Sequence, residues 1–360
     1  MRILIDIGHP GHVHLFRPFA QEMEKKGHHI LFTCRQKEFE IELLEAAEFK
    51  YISFGRHYKT TLGKIFGLFK FNIQMFFNAI KFKPDVLLSH GSIYAAHVSF
   101  LLKKPHVSME DSGNMEQIRL YLPFTKVVLT PFELPENLGE KQIRYHSYHE
   151  LAYLNPKYFI PNNKILRILG VSKNEKYAIL RLVSWDATHD IGQGGLTVNQ
   201  KEEIVGFLSS KMKLFITSEG NVPDYFKQYL IKIEPAQIHN VLSFADLVVS
   251  EGATMASEAG VLGTPTIYVN SLARCYNEDQ EKYGTVFNFR DGTNVFEKVK
   301  ELANGSLKQK ENHKRILKDK INLTSFLVWF IENYPKSKLI MKKNPEYENR
   351  FKINNGLYSK

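Results

Sequence analysis

The chain alternates short β-branched apolar runs with stretches of helical spacing, and it does so twice. That pattern belongs to parallel sheets, because parallel neighbours need a crossover, and the crossover helices then cover the sheet faces. RILIDIG (Arg2 to Gly8) reads as a first strand, His14 to Gly27 as a helix stopped by a glycine, and HHILFTC as a second strand. A helix (KEFEIELLEAAEF), a short strand (KYISF) and the strands PDVLLSHG, KKPHVSME and TKVVLTP continue the series as one doubly wound domain. NPKYFIPNN (Asn155 to Asn163), with two prolines and three asparagines, breaks it and reads as a linker. The alternation restarts at KYAILRLV and runs through KLFITSEG, LVVSEG and TPTIYVN. The expected domains are residues 1–155 and 162–320, with an apolar helix in 321–360 returning to the first domain ahead of a basic tail.

With 360 residues, 43% hydrophobic and 24% charged, each half can bury its own core, and a disordered or fibrous chain is excluded. Two cysteines, Cys34 and Cys275, offer neither a disulfide framework nor a cysteine zinc site and fit a reducing compartment. Asp6 interrupts the first apolar run too early for a signal peptide, and Val86 to Leu102 carries His, Ser and Gly instead of ~20 apolar residues. The expectation is a cytoplasmic protein, with a peripheral position at the inner face of the membrane left open.

The net charge of +10 points to an anionic partner. No RNA- or DNA-binding module accompanies it, so nucleic acid is set aside. Residues 56–83 hold six Lys or Arg, six Phe and no acid. Such a segment either packs its Phe face on the core or lies in an anionic membrane interface, and the sequence favours neither.

Ligands of open parallel sheets bind beyond the carboxyl ends of strands. The loop after the first strand, GHPGHVH, brings Gly8 and Gly11 to a helix start, where amides and dipole favour an anion. It also carries His9, His12 and His14, for which a metal reading lacks any carboxylate or cysteine at ligand spacing. The G-x-G-x-x-G and Walker spacings are absent. The segment SEGATMASEAGVLGTPTIYV (Ser250 to Val269) carries more information. Glu251, Gly252 and Ala253 follow a strand end, Thr254 is placed to cap a helix facing a pyrophosphate, and Glu258 lies one turn inside. The bland alternative is an ordinary strand-to-helix turn with an exposed glutamate.

These residues resemble the donor-binding signature of GT-B-type glycosyltransferases, particularly the MurG-like N-acetylglucosaminyltransferases and the related UDP-N-acetylglucosamine 2-epimerases. GHPGHVHLFRP and DVLLSHGSIYAAHVSFLLKKPHVSMED resemble the matching regions of the acceptor domain. Nearest is a prokaryotic GT-B-like family with this opening and this Gly-Ala-Thr-Met-Ala-Ser-Glu-Ala core. The resemblance implies an α/β fold of two Rossmann-like, doubly wound domains facing a central cleft. It implies that Gly252, Ala253, Thr254 and Glu258 hold phosphates and ribose, that Asp279 and Gln280 reach the donor sugar, and that Ser218, Glu219 and Gly220 line the next strand end. Arg181 and Ser184 would face the diphosphate, although RLVSWDATHD replaces the family's glycine-serine loop there.

No Asp-x-Asp triplet occurs, so the expected transferase needs no metal and no cofactor beyond a UDP-sugar co-substrate. His12, on the loop and able to titrate near neutrality, is the first candidate base, with Glu110 and Asp111 next. The expected reaction transfers a sugar to a glycan or lipid-linked acceptor in envelope polysaccharide synthesis. The alternatives are a UDP-N-acetylglucosamine 2-epimerase, whose Gly-Thr-Arg-Pro-Glu opening and His-Arg-x-Glu-Asn segment are absent, and a catalytically silent nucleotide-sugar-binding protein.

Overall fold

A computed structural model describes residues 1–58, 60–172, 174–183, 194–305 and 309–353. The chain divides into two compact units, Met1–Tyr158 with Lys320–Lys360, and Phe159–Asp319.

The first unit runs β1 (Arg2–Ile7), α1 (Pro10–Lys25), β2 (His29–Gln36), α2 (Glu40–Ala46), β3 (Tyr51–Arg56), α3 (Thr61–Phe82), β4 (Val86–His90), α4 (Ile93–Leu101), β5 (His106–Met109), α5 (Met115–Tyr121), β6 (Val127–Pro131), β7 (Gln142–Tyr145) and α6 (Glu150–Tyr153). The second runs α7 (Lys164–Ile168), β8 (Tyr177–Leu182), α8 (Val198–Lys211), β9 (Lys213–Ser218), α9 (Ile238–Phe244), β10 (Leu247–Ser250), α10 (Ala253–Val261), β11 (Thr266–Val269), α11 (Cys275–Lys282), β12 (Val286–Phe289), α12 (Val295–Asn304) and α13 (Gln309–Asp319). Two last helices, α14 (Leu323–Glu332) and α15 (Lys336–Lys343), belong to the first unit.

Among the described residues the first sheet has seven strands in the order β3-β2-β1-β4-β5-β6-β7, and the second has five in the order β12-β11-β10-β8-β9. All pairings within the two sheets are parallel. Both orders reverse direction once, between β1 and β4 and between β8 and β10. At such a reversal the crossovers leave on opposite faces, and the strand ends there stay uncovered. In each sheet the reversal therefore marks the place for a ligand.

Burial follows from the strands being covered on both faces. In β1 every residue after Arg2 is buried. In the second sheet Ala178, Leu180 and Val249 face one core layer, while Ile179 and Val248, one residue out of phase, face the other. The C-terminal segment is fastened to the first unit by polar bonds as well as by its buried Phe326, Leu327 and Phe330. Ser147 Oγ donates to the Ile321 carbonyl at 2.8 Å, and Thr324 Oγ1 to that of Ala152 at 2.8 Å.

The reversal in the first sheet is pinned by Asp6, fully buried and in register with Thr33 on β2 and Ser89 on β4. Its carboxylate accepts from Arg35 Nη1 at 2.6 and 2.7 Å, from Thr33 Oγ1 at 2.7 Å and from Ser92 Oγ. Ser92 in turn caps α4, accepting from the Ala95 amide at 3.1 Å. Removing one member of such a buried pair leaves the other charge uncompensated. Asp6→Ala is expected to lower stability by about 3–5 kcal/mol, read from urea denaturation midpoints; a loss within ~0.5 kcal/mol, the range of an ordinary surface substitution, contradicts this role.

Candidate functional site

In the first unit the strand ends at the reversal carry histidines. His90 closes β4, and Gly91, at φ +60°, turns the chain sharply into α4 with its amide donating to Ser108 Oγ at 2.9 Å. His12, in the first turn of α1, stacks on His90 with ring centroids 4.5 Å apart. Asp111, after β5, bridges two rings: Oδ1 lies 3.0 Å from His90 Nε2 and Oδ2 lies 2.8 Å from His149 Nδ1, just ahead of α6. His149 Nε2 is buried and, among the described residues, has no hydrogen-bond partner.

Burial alone would lower the pKa of His90, but the hydrogen bond and charge of Asp111, helped by Glu110, raise it to about 8. Burial likewise opposes ionisation of Asp111, yet the neighbouring His149 and His90 hold its carboxyl well below the usual range. His12 is pushed the other way, well below 6.5, by burial and by the charge on His90. The cluster at neutral pH is therefore a cation, an anion and a neutral imidazole in contact. Gly8 N–H donates to His12 Nδ1 at 3.3 Å, so the neutral ring carries its proton on Nε2.

Several expected roles change here. The amides of Gly8 and Gly11 do not await an anion, because the Gly11 amide is taken by the His9 cap, Nδ1, at 3.1 Å and that of Gly8 by His12. The three loop histidines do not converge: His9 pairs loosely with Glu38, and buried His14 meets Tyr153. Glu110 organises its own loop, accepting from the Ser112 amide at 2.8 Å, Ser112 Oγ at 2.6 Å and Tyr121 O–H at 2.8 Å, which leaves it no reach as a base. Among the described residues one trio, His90, Asp111 and His149, offers ligand atoms all within 4.8 Å of one another, but a metal there must displace both Asp111 hydrogen bonds.

In the second unit the reversal lies between β8 and β10, where Ser250 pairs in register with Arg181. Helix α10 starts directly after β10. Its N-cap is Gly252, with no side-chain cap, and Thr254 is exposed in the first turn instead of capping it. Among the described residues no side chain bonds the amides of Ala253 or Thr254, with Gly252 and Ala253 half-buried and Thr254 exposed. Arg181 ion-pairs with exposed Glu219 at the neighbouring strand end, where Ser218 Oγ and Gly220 close a tight turn at 3.0 Å.

Other expected donor contacts lie inside the unit. Glu258 sits at 6% exposure with Oε1 2.9 Å from His239 Nε2 of α9, so the helix turns it to the core and not toward a pentose. Glu251 is fully buried, accepting from the Val183 amide at 3.2 Å, the Leu196 amide at 2.9 Å and Lys201 Nζ at 2.9 Å. Gln280 donates to Ser257 Oγ at 2.6 Å at the close approach of α10 and α11, where a Cβ on Gly260 would meet its Oε1 at 2.3 Å. Asp279 is buried and pairs with Lys282 at 3.0 Å. Ser184 lies outside the described residues.

The model of a protein family described as "Protein of unknown function (DUF354)" matches residues 1–336. The chain belongs to this family. It is 24% identical over 275 residues to an uncharacterised protein of Methanocaldococcus jannaschii, MJ0665, covering 74% of this chain and 80% of that one. Among solved structures it resembles UDP-GlcNAc 2-epimerase from Neisseria meningitidis bound to UDP-GlcNAc, with TM-score 0.64, 15% identity and coverage of 92% and 100%. It also resembles the glycosyltransferase SsfS6 of Streptomyces sp. SF2575, with TM-score 0.55, 12% identity and coverage of 92% and 100%. The chain thus has the two-unit α/β fold of GT-B glycosyltransferases and UDP-GlcNAc 2-epimerases.

His90 makes the cluster pH-dependent. Its pKa is raised on folding, so its stabilisation is complete below about 6.5 and fades as pH rises through about 8. The difference between the two values corresponds to about 2 kcal/mol. Other histidines titrate in the opposite sense, so the pairing is read from the variant: between pH 9 and pH 6 the wild type is expected to gain more urea stability than Asp111→Asn by that order, and equal changes contradict the pairing.

Proposed function

We propose that this protein is a metal-independent glycosyltransferase that moves a sugar from a UDP-type donor to a hydroxyl of a glycan or lipid-linked acceptor, in envelope polysaccharide synthesis. The observation that carries the reading is the uncapped start of α10 at the strand reversal of the second unit. A diphosphate placed there accepts from the amides around Ala253 and Thr254 and gains the helix dipole. The N. meningitidis structure, of the same fold, is bound to UDP-GlcNAc, which supports a nucleotide sugar as ligand.

In this reading the bond between the anomeric carbon and the diphosphate breaks with its electron pair leaving on UDP. The α10 start stabilises the departing charge, and Arg181 exchanges Glu219 for phosphate oxygen. The acceptor oxygen bonds to the anomeric carbon and gives up its proton to His12. Neutral across the working pH range, His12 takes that proton at Nδ1, where the acceptor hydroxyl replaces the long Gly8 contact. His90, fixed by its bond to Asp111, stacks on the imidazole and holds it in place.

A second reading, epimerisation of the donor, is favoured by the likeness to the epimerase fold. Transfer is preferred because both acidic residues that follow β5 are committed, Glu110 to its loop and Asp111 to two histidines, while a neutral imidazole remains. The reactions separate cleanly. Transfer releases UDP only with acceptor present, whereas epimerisation interconverts UDP-sugars without one. A protein that binds UDP-sugars and turns over neither way would overturn both.

Two variants test the parts. Thr254→Glu adds an acid to the first turn of α10, which the dipole favours by about 0.3–1 kcal/mol, yet it opposes a diphosphate. UDP affinity measured by calorimetry is expected to fall at least about tenfold, roughly 1.4 kcal/mol, with the melting temperature kept or raised; unchanged affinity removes the anion from this helix. His12→Gln is expected to lower kcat about 10²- to 10⁴-fold with the donor KM nearly kept, and a rise in KM alone assigns His12 to binding.

A further inference from the structure

Helix α3 carries two apolar faces. Phe71, Met75 and Ala79 are turned into the core, at most 2% exposed. Leu62, Phe66, Phe69, Ile73, Phe77 and Ile80 are between 45% and 81% exposed. At 3.6 residues per turn these six fall within an arc of about 80° that runs some 27 Å along the helix. A monomeric soluble protein rarely displays so long an apolar stripe. The packed-face alternative thus holds for Phe71, while Phe66, Phe69 and Phe77 of the same helix face solvent.

Charge selects what covers the outer stripe. No acidic residue occurs between Arg56 and Pro84, and exposed Lys81 lies beside the arc with Lys83 just past its C-terminal end, while Lys70 Nζ is held at the Tyr58 hydroxyl, 3.3 Å away. A second copy of the chain laid across a twofold axis on this stripe would offer these cations no acidic partner from α3, since the same segment carries none. A layer of anionic headgroups accepts them while the aromatic rings enter the acyl boundary and the lysine stems extend back to the phosphates. Among the described residues no helix is long and apolar enough to cross a membrane, and the stripe follows the helix lengthwise, which suits lying flat.

We propose that the outer face of α3 docks the protein on an anionic phospholipid bilayer. This stands independently of the transferase reading. The test is co-sedimentation of the full chain with vesicles of phosphatidylcholine alone or mixed with phosphatidylglycerol. The protein sediments with the mixed vesicles, and affinity for the neutral ones is at least about tenfold weaker. Phe69→Ser/Phe77→Ser abolishes sedimentation at an unchanged melting temperature, both positions being solvent-exposed. Lys81→Glu/Lys83→Glu weakens it about 30-fold or more. Equal binding to both vesicle types, wild-type binding by either variant, or no vesicle binding together with a dimer dispersed by Phe69→Ser/Phe77→Ser overturns the proposal.

Discussion

Asp6 is the point from which the first unit is organised. A carboxylate with no solvent exposure is untenable unless its lone pairs are filled. Its register fixes who can fill them: Thr33 beside it on β2, Arg35 two residues further along, and Ser92 just beyond the end of β4. The same contact that neutralises Asp6 therefore sets the entry into α4, through Ser92, and the floor under the first loop, since a Cβ on Gly8 would meet Arg35 Nη2 at 3.2 Å. His90 and His12 are brought face to face as a consequence.

Around those histidines the electrostatics is a matter of sharing. Asp111 keeps His90 charged, and that charge, held 4.5 Å from His12 by the ring stack, adds to burial in keeping His12 neutral. Buried His106 shows what happens without such a carboxylate. It bridges Ser89 and Thr125 by neutral hydrogen bonds, and burial pushes its pKa down to about 3. The difference between the two residues lies in one acid at the end of β5.

Much of this was legible in the sequence because parallel strands buried on both faces announce themselves as apolar runs. β7 and β12 did not, being four residues each with half-exposed positions and no continuous apolar stretch. Missing β7 also hid His149, which follows it. His90 was in view, at the end of PDVLLSH, but its importance depends on β4 lying beside β1, a fact of topology that no local pattern carries. The donor-side residues show the opposite error. Glu251, Glu258 and Gln280 stand at suggestive spacings, yet helical phase turns the last two inward, to His239 and Ser257, and three internal donors claim the first. Spacing along a chain places a residue on a turn; whether it faces ligand or core is decided by the neighbouring helices.

Of the four helices that follow the strands at the two units' reversals, three have a side-chain cap: both of the first unit and, in the second, α8 through Thr197. In the first, α1 is closed by the imidazole of His9 and α4 by the hydroxyl of Ser92, so their N–H groups are already engaged by side chains. In the second, α10 begins at Gly252 and, among the described residues, no side chain caps it. A helix whose cap is internal has little remaining attraction for an external anion, because the cap oxygen or nitrogen occupies the position that a phosphate would take. An uncapped start retains it. The division of labour proposed for this family follows from that asymmetry: an anionic donor group is drawn to the second unit, while the first, its helix starts filled, offers a neutral imidazole backed by a fixed ion pair, which suits the movement of a proton better than the holding of a phosphate.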